Sequence, residues 1–303
     1  MAKILISGLV NVETTLKIRQ FPIEYYPIDY PFFGVNTAVS GVAYNISGAL
    51  TALGDSVCLL SMTGRDFQAS YIRNVLKDKG ISSEFLLPVL SQTPSSVILY
   101  EDSGRRQVLC DLKDIQETAY PFREEMLSDV DLVAACNINF NRPLLDMAKR
   151  AGKTVATDVH VLSDIGDGYN LDFLRNADIL FLSDEAIGEN FQSFLQSIAS
   201  TYGTKIIVLG RGSKGAALCM DGYITCLPAV QVGPIVNTVG AGDALFSGFL
   251  HYYAEGMEPL EALKRAQLFA SAKIGSNGGG AGFVSEKQIE EYYRCFAADM
   301  KPF

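Results

Sequence analysis

No stretch of this 303-residue chain holds the ~18 consecutive apolar residues that a membrane span needs, which leaves no candidate transmembrane helix. Residues 1–7 form only a short apolar run without the small-residue cleavage site of a secretory leader. Basic residues are also scarce: 25 Lys and Arg against 34 Asp and Glu give a net charge of −9, which opposes an extended contact with nucleic acid or an anionic membrane. The six cysteines, Cys58, Cys110, Cys136, Cys219, Cys226 and Cys295, contain no C-x-x-C pair and no metal-ligand spacing. A chain this long needs no cross-links, so they are read as reduced thiols and the expected location is cytoplasmic. No G-x-x-x-x-G-K-[ST] run occurs, which excludes a P-loop in its usual form, and no linker, repeat or low-complexity segment interrupts the chain.

What is present is an ordinary globular composition, 48% apolar and 19% charged. Short apolar, β-branched runs at residues 4–6, 57–62, 132–136, 154–157, 179–182 and 206–209 read as strands buried on both faces, as in a parallel sheet. Between them Ile46, Leu50 and Leu53 share a helix face, as do Ile72, Val75 and Leu76, and Leu144, Met147 and Ala148. This alternation predicts a three-layer α/β/α domain over residues 1–303 with right-handed crossovers and a central, mostly parallel sheet. Two segments break the pattern. Residues 21–33 are rich in Tyr, Phe and Pro, and residues 93–112 alternate apolar and polar around Ser103-Gly104 like a hairpin. Together they are read as a small β-sheet lid built from about residues 12–38 and 93–113; the alternative is two long surface loops. Large aromatics outside the core would otherwise expose an apolar patch.

The chemistry concentrates in Asn237-Thr238-Val239-Gly240-Ala241-Gly242-Asp243. Leu245, Phe246, Phe249, Leu250 and Tyr253 then share a helical face, which puts Gly240, Ala241 and Gly242 at a helix N-terminus. Amides there lack intrahelical partners and the helix dipole adds positive potential, so an anion can be held. A carboxylate in the first turn could take a proton from an attacking hydroxyl while the amides stabilise a transferring phosphoryl group. Read alone, the segment favours the plainer account of Asp243 as a dipole-favoured acid after a glycine turn.

The segment closely resembles the D-T-x-G-A-G-D signature of the ribokinase family of carbohydrate kinases, the PfkB type. The resemblance implies a ribokinase-like fold, an ATP- and Mg²⁺-dependent transfer to a sugar or nucleoside hydroxyl, Asp243 as general base and the amides of Gly240, Ala241 and Gly242 as anion hole. It extends along the chain. Ser40-Gly41-Val42-Ala43-Tyr44-Asn45 is similar to the family's G-G-x-x-x-N, and Gly8-Leu9-Val10-Asn11-Val12-Glu13 to its G-x-x-N-x-D. These assign substrate contacts to Asn11, Glu13, Gly41 and Asn45. Gly64-Arg65-Asp66 and Gly104-Arg105-Arg106 fit the family's G-x-D and G-x-R positions. Gly210-Arg211-Gly212-Ser213-Lys214-Gly215 imitates a dinucleotide fingerprint, but residues 216–227 read as strand, turn and strand where a Rossmann loop must open a helix. By resemblance this turn, through Gly210, Gly212, Ser213, Lys214 and Gly215, holds ATP. The glycine-rich residues 275–282 close over adenine, with Gln267 and Asn277 beside the nucleotide. The resemblance also implies a homodimer clasped through the lid.

Four departures qualify these expectations. Asn237 replaces an Asp associated with a monovalent cation, so potassium activation should be weak or absent. Glu13 replaces a shorter Asp, which shifts the acceptor hydroxyl. The family's N-x-x-E, which organises Mg²⁺-bound water, aligns with Ser183-Asp184-Glu185-Ala186, so Asp184 or Glu185 would have to serve the metal. Asp158-Val159-His160 replaces a D-P-N turn, where His160 could line the active site, but a lone His after a strand is read as structural. One reading from another class stays open, a sugar- or nucleoside-binding protein that keeps the fold without the chemistry; a nicotinamide dehydrogenase rests on residues 210–215 alone and fails for lack of a following helix.

Overall fold

The computed structural model describes every residue except Gly104 and Asn277, so the hairpin tip and one expected nucleotide contact lie outside the described residues. The chain runs β1 (Lys3–Ser7), β2 (Asn11–Lys17), β3 (Val35–Ser40), α1 (Val42–Leu53), β4 (Ser56–Thr63), α2 (Phe67–Asp78), β5 (Leu86–Pro88), β6 (Ser95–Tyr100) and β7 (Arg106–Asp111). It continues through β8 (Leu132–Ala135), α3 (Arg142–Arg150), β9 (Thr154–Val161), α4 (Leu171–Asn176), β10 (Ile179–Ser183), α5 (Phe191–Tyr202) and β11 (Ile206–Gly210). The hairpin β12 (Ala216–Met220) and β13 (Tyr223–Leu227) precedes α6 (Ala241–Ala254), α7 (Pro259–Lys273) and α8 (Glu286–Phe296).

The main sheet has nine strands in the order β13-β12-β11-β10-β9-β8-β1-β4-β5. From β5 across to β11 the neighbours are parallel, and only β11/β12 and β12/β13 are antiparallel. The buried runs explain this: Ile4 and Ile6 point into the layer of α1, α6, α7 and α8, whereas Leu5 points into the layer of α3, α4 and α5. The expected three-layer α/β/α arrangement is therefore present. β1 lies between β4 and β8, so the chain first winds outward to β5 and then returns to build the sheet the other way from β8. Such a reversal opens a crevice at the carboxyl ends of the strands, the usual ligand position in an open α/β sheet.

A second sheet of four strands, ordered β3-β2-β6-β7, overlaps the expected ranges 12–38 and 93–113, with β2 starting at Asn11 and β3 running on to Ser40. Its strands flank the aromatic stretch and do not contain it. Residues 21–33 form an irregular connection between β2 and β3 because Pro22, Pro27 and Pro31 carry no N–H for a ladder. β5, three residues long, was invisible to periodicity. Among the described residues no helix is long and apolar enough to cross a membrane.

Candidate active site

The N-terminus of α6 sits at the crevice. Gly240 is its N-cap in the left-handed region, with φ 78°. A β-carbon there would lie 2.7 Å from the Gly279 carbonyl oxygen, so both conformation and space demand glycine. The Ala241 N–H reaches the Thr238 carbonyl at 3.2 Å, and Asn237 Oδ1 accepts from the Val239 N–H at 2.8 Å. Asn237, where a charged Asp was expected from the family pattern, thus tightens the turn that feeds the helix. Gly242 and Asp243 occupy the first turn, where amides have no intrahelical acceptor.

Asp243 Oδ2 accepts from Asn45 Nδ2 at 2.7 Å, joining the fourth residue of α1 to the first turn of α6. Burial raises the carboxyl above the ordinary Asp range; the Asn45 hydrogen bond, the positive His160 and Lys273 oppose that rise, and Asp158 adds to it. Asn45, expected to touch substrate, is therefore first a ligand of Asp243. Its Oδ1 remains buried without a partner.

The other N-terminal motifs meet at the same crevice. Asn11 Nδ2 donates to Ser96 Oγ at 3.0 Å across β2 and β6, and its Oδ1 is likewise buried and unpartnered. Glu13 is buried and accepts from Ser40 Oγ at 2.9 Å. Burial raises its carboxyl, against Ser40 and the positive charges of Arg106 and Lys273. Gly41 has φ 105°, and a β-carbon on it would stand 2.5 Å from the Leu9 carbonyl oxygen. Asn11 Oδ1 and Asn45 Oδ1 are buried acceptors without a partner, and the Glu13 carboxylate is a third buried acceptor, groups that can take hydroxyl donors from a ligand.

On the far side of the crevice, β11 ends at Gly210 and residues Gly212–Lys214 make one 3-10 turn before β12. No helix follows, which removes the dinucleotide reading. Gly212 and Gly215 have φ 52° and 92°, and Ser213 and Lys214 are exposed. Gly215 packs on Pro228, whose carbonyl accepts from Gln267 Nε2 at 3.3 Å. Gln267 thus stands behind the turn, with Oε1 buried and unpartnered.

Asp184 and Glu185 follow β10 in a 3-10 turn. Asp184 faces Arg211 Nε at 3.8 Å, and Glu185 is exposed. Among the described residues no three His, Cys, Asp or Glu side chains converge on a metal position. Mg²⁺ needs no such cluster, because it binds through one or two carboxylates with waters and phosphates, so either Asp184 or Glu185 has the right donor chemistry.

Sequence reasoning set one residue near Asp243 aside, His160, and missed another, Lys273. His160 sits near the end of β9 with φ 58°, its N–H donating to Asp158 Oδ1 at 2.8 Å and its Nδ1 3.4 Å from Asp158 Oδ2. The Asp158 carboxylate, with Asp243 beyond it, raises its pKa to about 9. Lys273, the last residue of α7, has no exposed surface and reads in sequence as the basic last turn of a helix. Only the strand-end position of His160 offered a signal beforehand, and nothing marked Lys273.

The pfkB family carbohydrate kinase model matches residues 3–286. An ATP-dependent ribose-1-phosphate kinase of Halopiger xanaduensis is 25% identical over 95% of this chain and 99% of that protein. Fructosamine kinase FrlD of Bacillus subtilis is 24% identical over 84% of this chain and 89% of its own length. Among solved structures, a putative ribokinase from Agrobacterium tumefaciens superposes with a TM-score of 0.87 at 20% identity, covering 98% of this chain and 99% of that one. With a family model spanning nearly the whole length and a matching fold, the chain belongs to the pfkB family of carbohydrate kinases.

Proposed function

We propose that the chain transfers the γ-phosphoryl group of ATP to a hydroxyl of a small ribose-like sugar or a nucleoside, with Asp243 as general base. The observation that carries this reading is Asp243 in the first turn of α6, fixed by Asn45 at 2.7 Å, at the carboxyl edge of the sheet. In this reading Asn11 and Asn45 hold the acceptor through their orphaned oxygens, Glu13 through its carboxylate and Gly41 through the close backbone, and Asn45 also aligns the base. The turn Gly210–Gly215 and Gln267 take the nucleotide. The amides of Gly240, Ala241 and Gly242 stabilise the charge on the phosphoryl group in flight, Ala241 exchanging its long bond to Thr238 for the anion. Asp184 or Glu185 would hold Mg²⁺, which would supply charge neutralisation for the phosphates of ATP. Rate then comes mainly from positioning and electrostatics.

The four-stranded sheet serves as a lid over the acceptor and as the contact with a second copy. Exposed Tyr25, Phe32 and Phe33 on the connection, with Val108 and Leu109 on β7, supply the apolar surface. Acceptor choice is tested by ADP release against a panel of pentoses, hexoses and nucleosides, with and without Mg²⁺. Turnover of a ribose-like member is expected; sugar binding in a calorimeter with no ADP release from any member would instead establish a non-catalytic binding protein.

A further inference from the structure

A lysine with no exposed surface costs free energy unless something uses its charge. Lys273 is such a residue, and its position is specific. Its Nζ donates to the Gly278 carbonyl at 2.6 Å, one bond from a group that carries three donors. The turn it grips is packed into the catalytic crevice. The Gly279 carbonyl abuts Gly240, the N-cap of α6, within the space of one β-carbon. A β-carbon on Gly279 would lie 2.8 Å from Asn45 Nδ2, the atom that donates to Asp243. Gly280 packs on Tyr44 and Asn45. The chain of contact thus runs from the Lys273 ammonium through residues 278–280 to both the helix N-terminus and the residue that holds the carboxylate.

We propose that Lys273 is a positioning residue for phosphoryl transfer: its buried ammonium pins the 278–280 turn against Gly240 and Asn45 and supplies a fixed positive charge facing Asp243 and Glu13. This rests on the kinase reading of the site. Burial pushes the lysine's pKa down, and the carboxylates of Asp243 and Glu13 hold it up. The groups that face Asp243 from its neighbours are Asn45 on α1, Asp158 and His160 on β9, Cys136 after β8 and Lys273 on α7. Two of these are cationic. Removing Lys273 leaves the Asn45 hydrogen bond and one cation, His160, against Asp158 and burial, so the Asp243 carboxyl should bind its proton more tightly.

Lys273→Met keeps the length and removes the charge and the donor. A lysine kept for stability would give a lower melting temperature on this change. A lysine kept for function gives an unchanged or higher one, because a well-packed apolar side chain is cheaper to bury than an ion. The expected results are a melting temperature at or above that of the parent, a kcat at neutral pH reduced tenfold or more, and an acidic limb of the kcat profile moved to higher pH. Two measurements need no turnover: titration of the Asp243 side-chain carbon by NMR, with a raised midpoint expected, and amide hydrogen exchange, with faster exchange expected at residues 278–280. An unmoved Asp243 midpoint with unchanged exchange overturns the proposal, as does a pH-independent loss of kcat that tracks a fall in melting temperature. If the parent releases no ADP with any acceptor while the midpoint moves, the kinase reading fails and the coupling of Lys273 to Asp243 stands.

Discussion

At the scale of single residues, the crevice is a set of charges arranged around one carboxylate. Asp243 is surrounded by groups that pull in opposite directions: burial and Asp158 favour its protonated form, and Asn45, His160 and Lys273 favour its anion. His160 is the member whose charge can be changed within an accessible pH range. Its pKa is raised to about 9, so the imidazolium stabilises the fold fully below its unfolded value of ~6.5 and that contribution is lost as pH climbs through about 9. The side chain is 42% exposed, which makes the effect on stability small. NMR titration of the His160 ring should give a midpoint near 9, moving back toward ~6.5 in Asp158→Asn. A midpoint near 6.5 in the parent would show that the pair is not formed. The backbone of His160 lies in the left-handed region, a sparsely used conformation for a side chain of this size and one that gathers at functional sites.

At the scale of elements, the proposed site lies where α6 begins, and the glycine turn there serves geometry first. Gly240→Ala should cost roughly 1–3 kcal/mol for the left-handed backbone alone, before any contact with Gly279 is relieved. Denaturant unfolding checks the stability loss. Activity should fall further than a thermal shift alone explains, because the 279 carbonyl must retreat from the helix N-terminus. An alanine variant of unchanged stability would mean that the turn relaxes freely. This part of the candidate site could be proposed from sequence because it is contiguous: a glycine run, a carboxylate and a helical apolar face occur within residues 237–253. The buried parallel strands were legible for the same reason, each being a short uninterrupted apolar run. What stayed hidden depends on chain segments that meet only in three dimensions. Asn45 and Asp243 are 198 positions apart, and nothing in the text of α1 announces that its amide faces a carboxylate on α6. Lys273 resembles any basic residue in the last turn of a helix until its surroundings are known. The aromatic connection between β2 and β3 was taken for strand because its apolar content outweighed the message of its three prolines.

At the scale of the whole molecule, winding order decides where chemistry can occur. β1 takes neighbours from both directions of winding, and Asn11, Asp158, Asp184 and Gly210 all lie at or beyond the carboxyl ends of strands along this edge. The second sheet stands beside that edge through β2, and its outward strand β7 is exposed along its length. An exposed edge strand with an apolar connection is a surface that a second copy can cover. Light scattering at micromolar concentration should give a dimer, and charged replacements at Phe32 and Phe33 should dissociate it; a monomeric parent would contradict the proposed clasp. The account as a whole turns on one carboxylate taking a proton from a bound alcohol. Because a general base contributes about 10²–10⁴ in rate, Asp243→Asn should lose that much of kcat while its affinity for ATP stays close to the parent's. An Asp243→Asn enzyme that still releases ADP at a rate near the parent's, with the same acceptor and an intact fold, would contradict it.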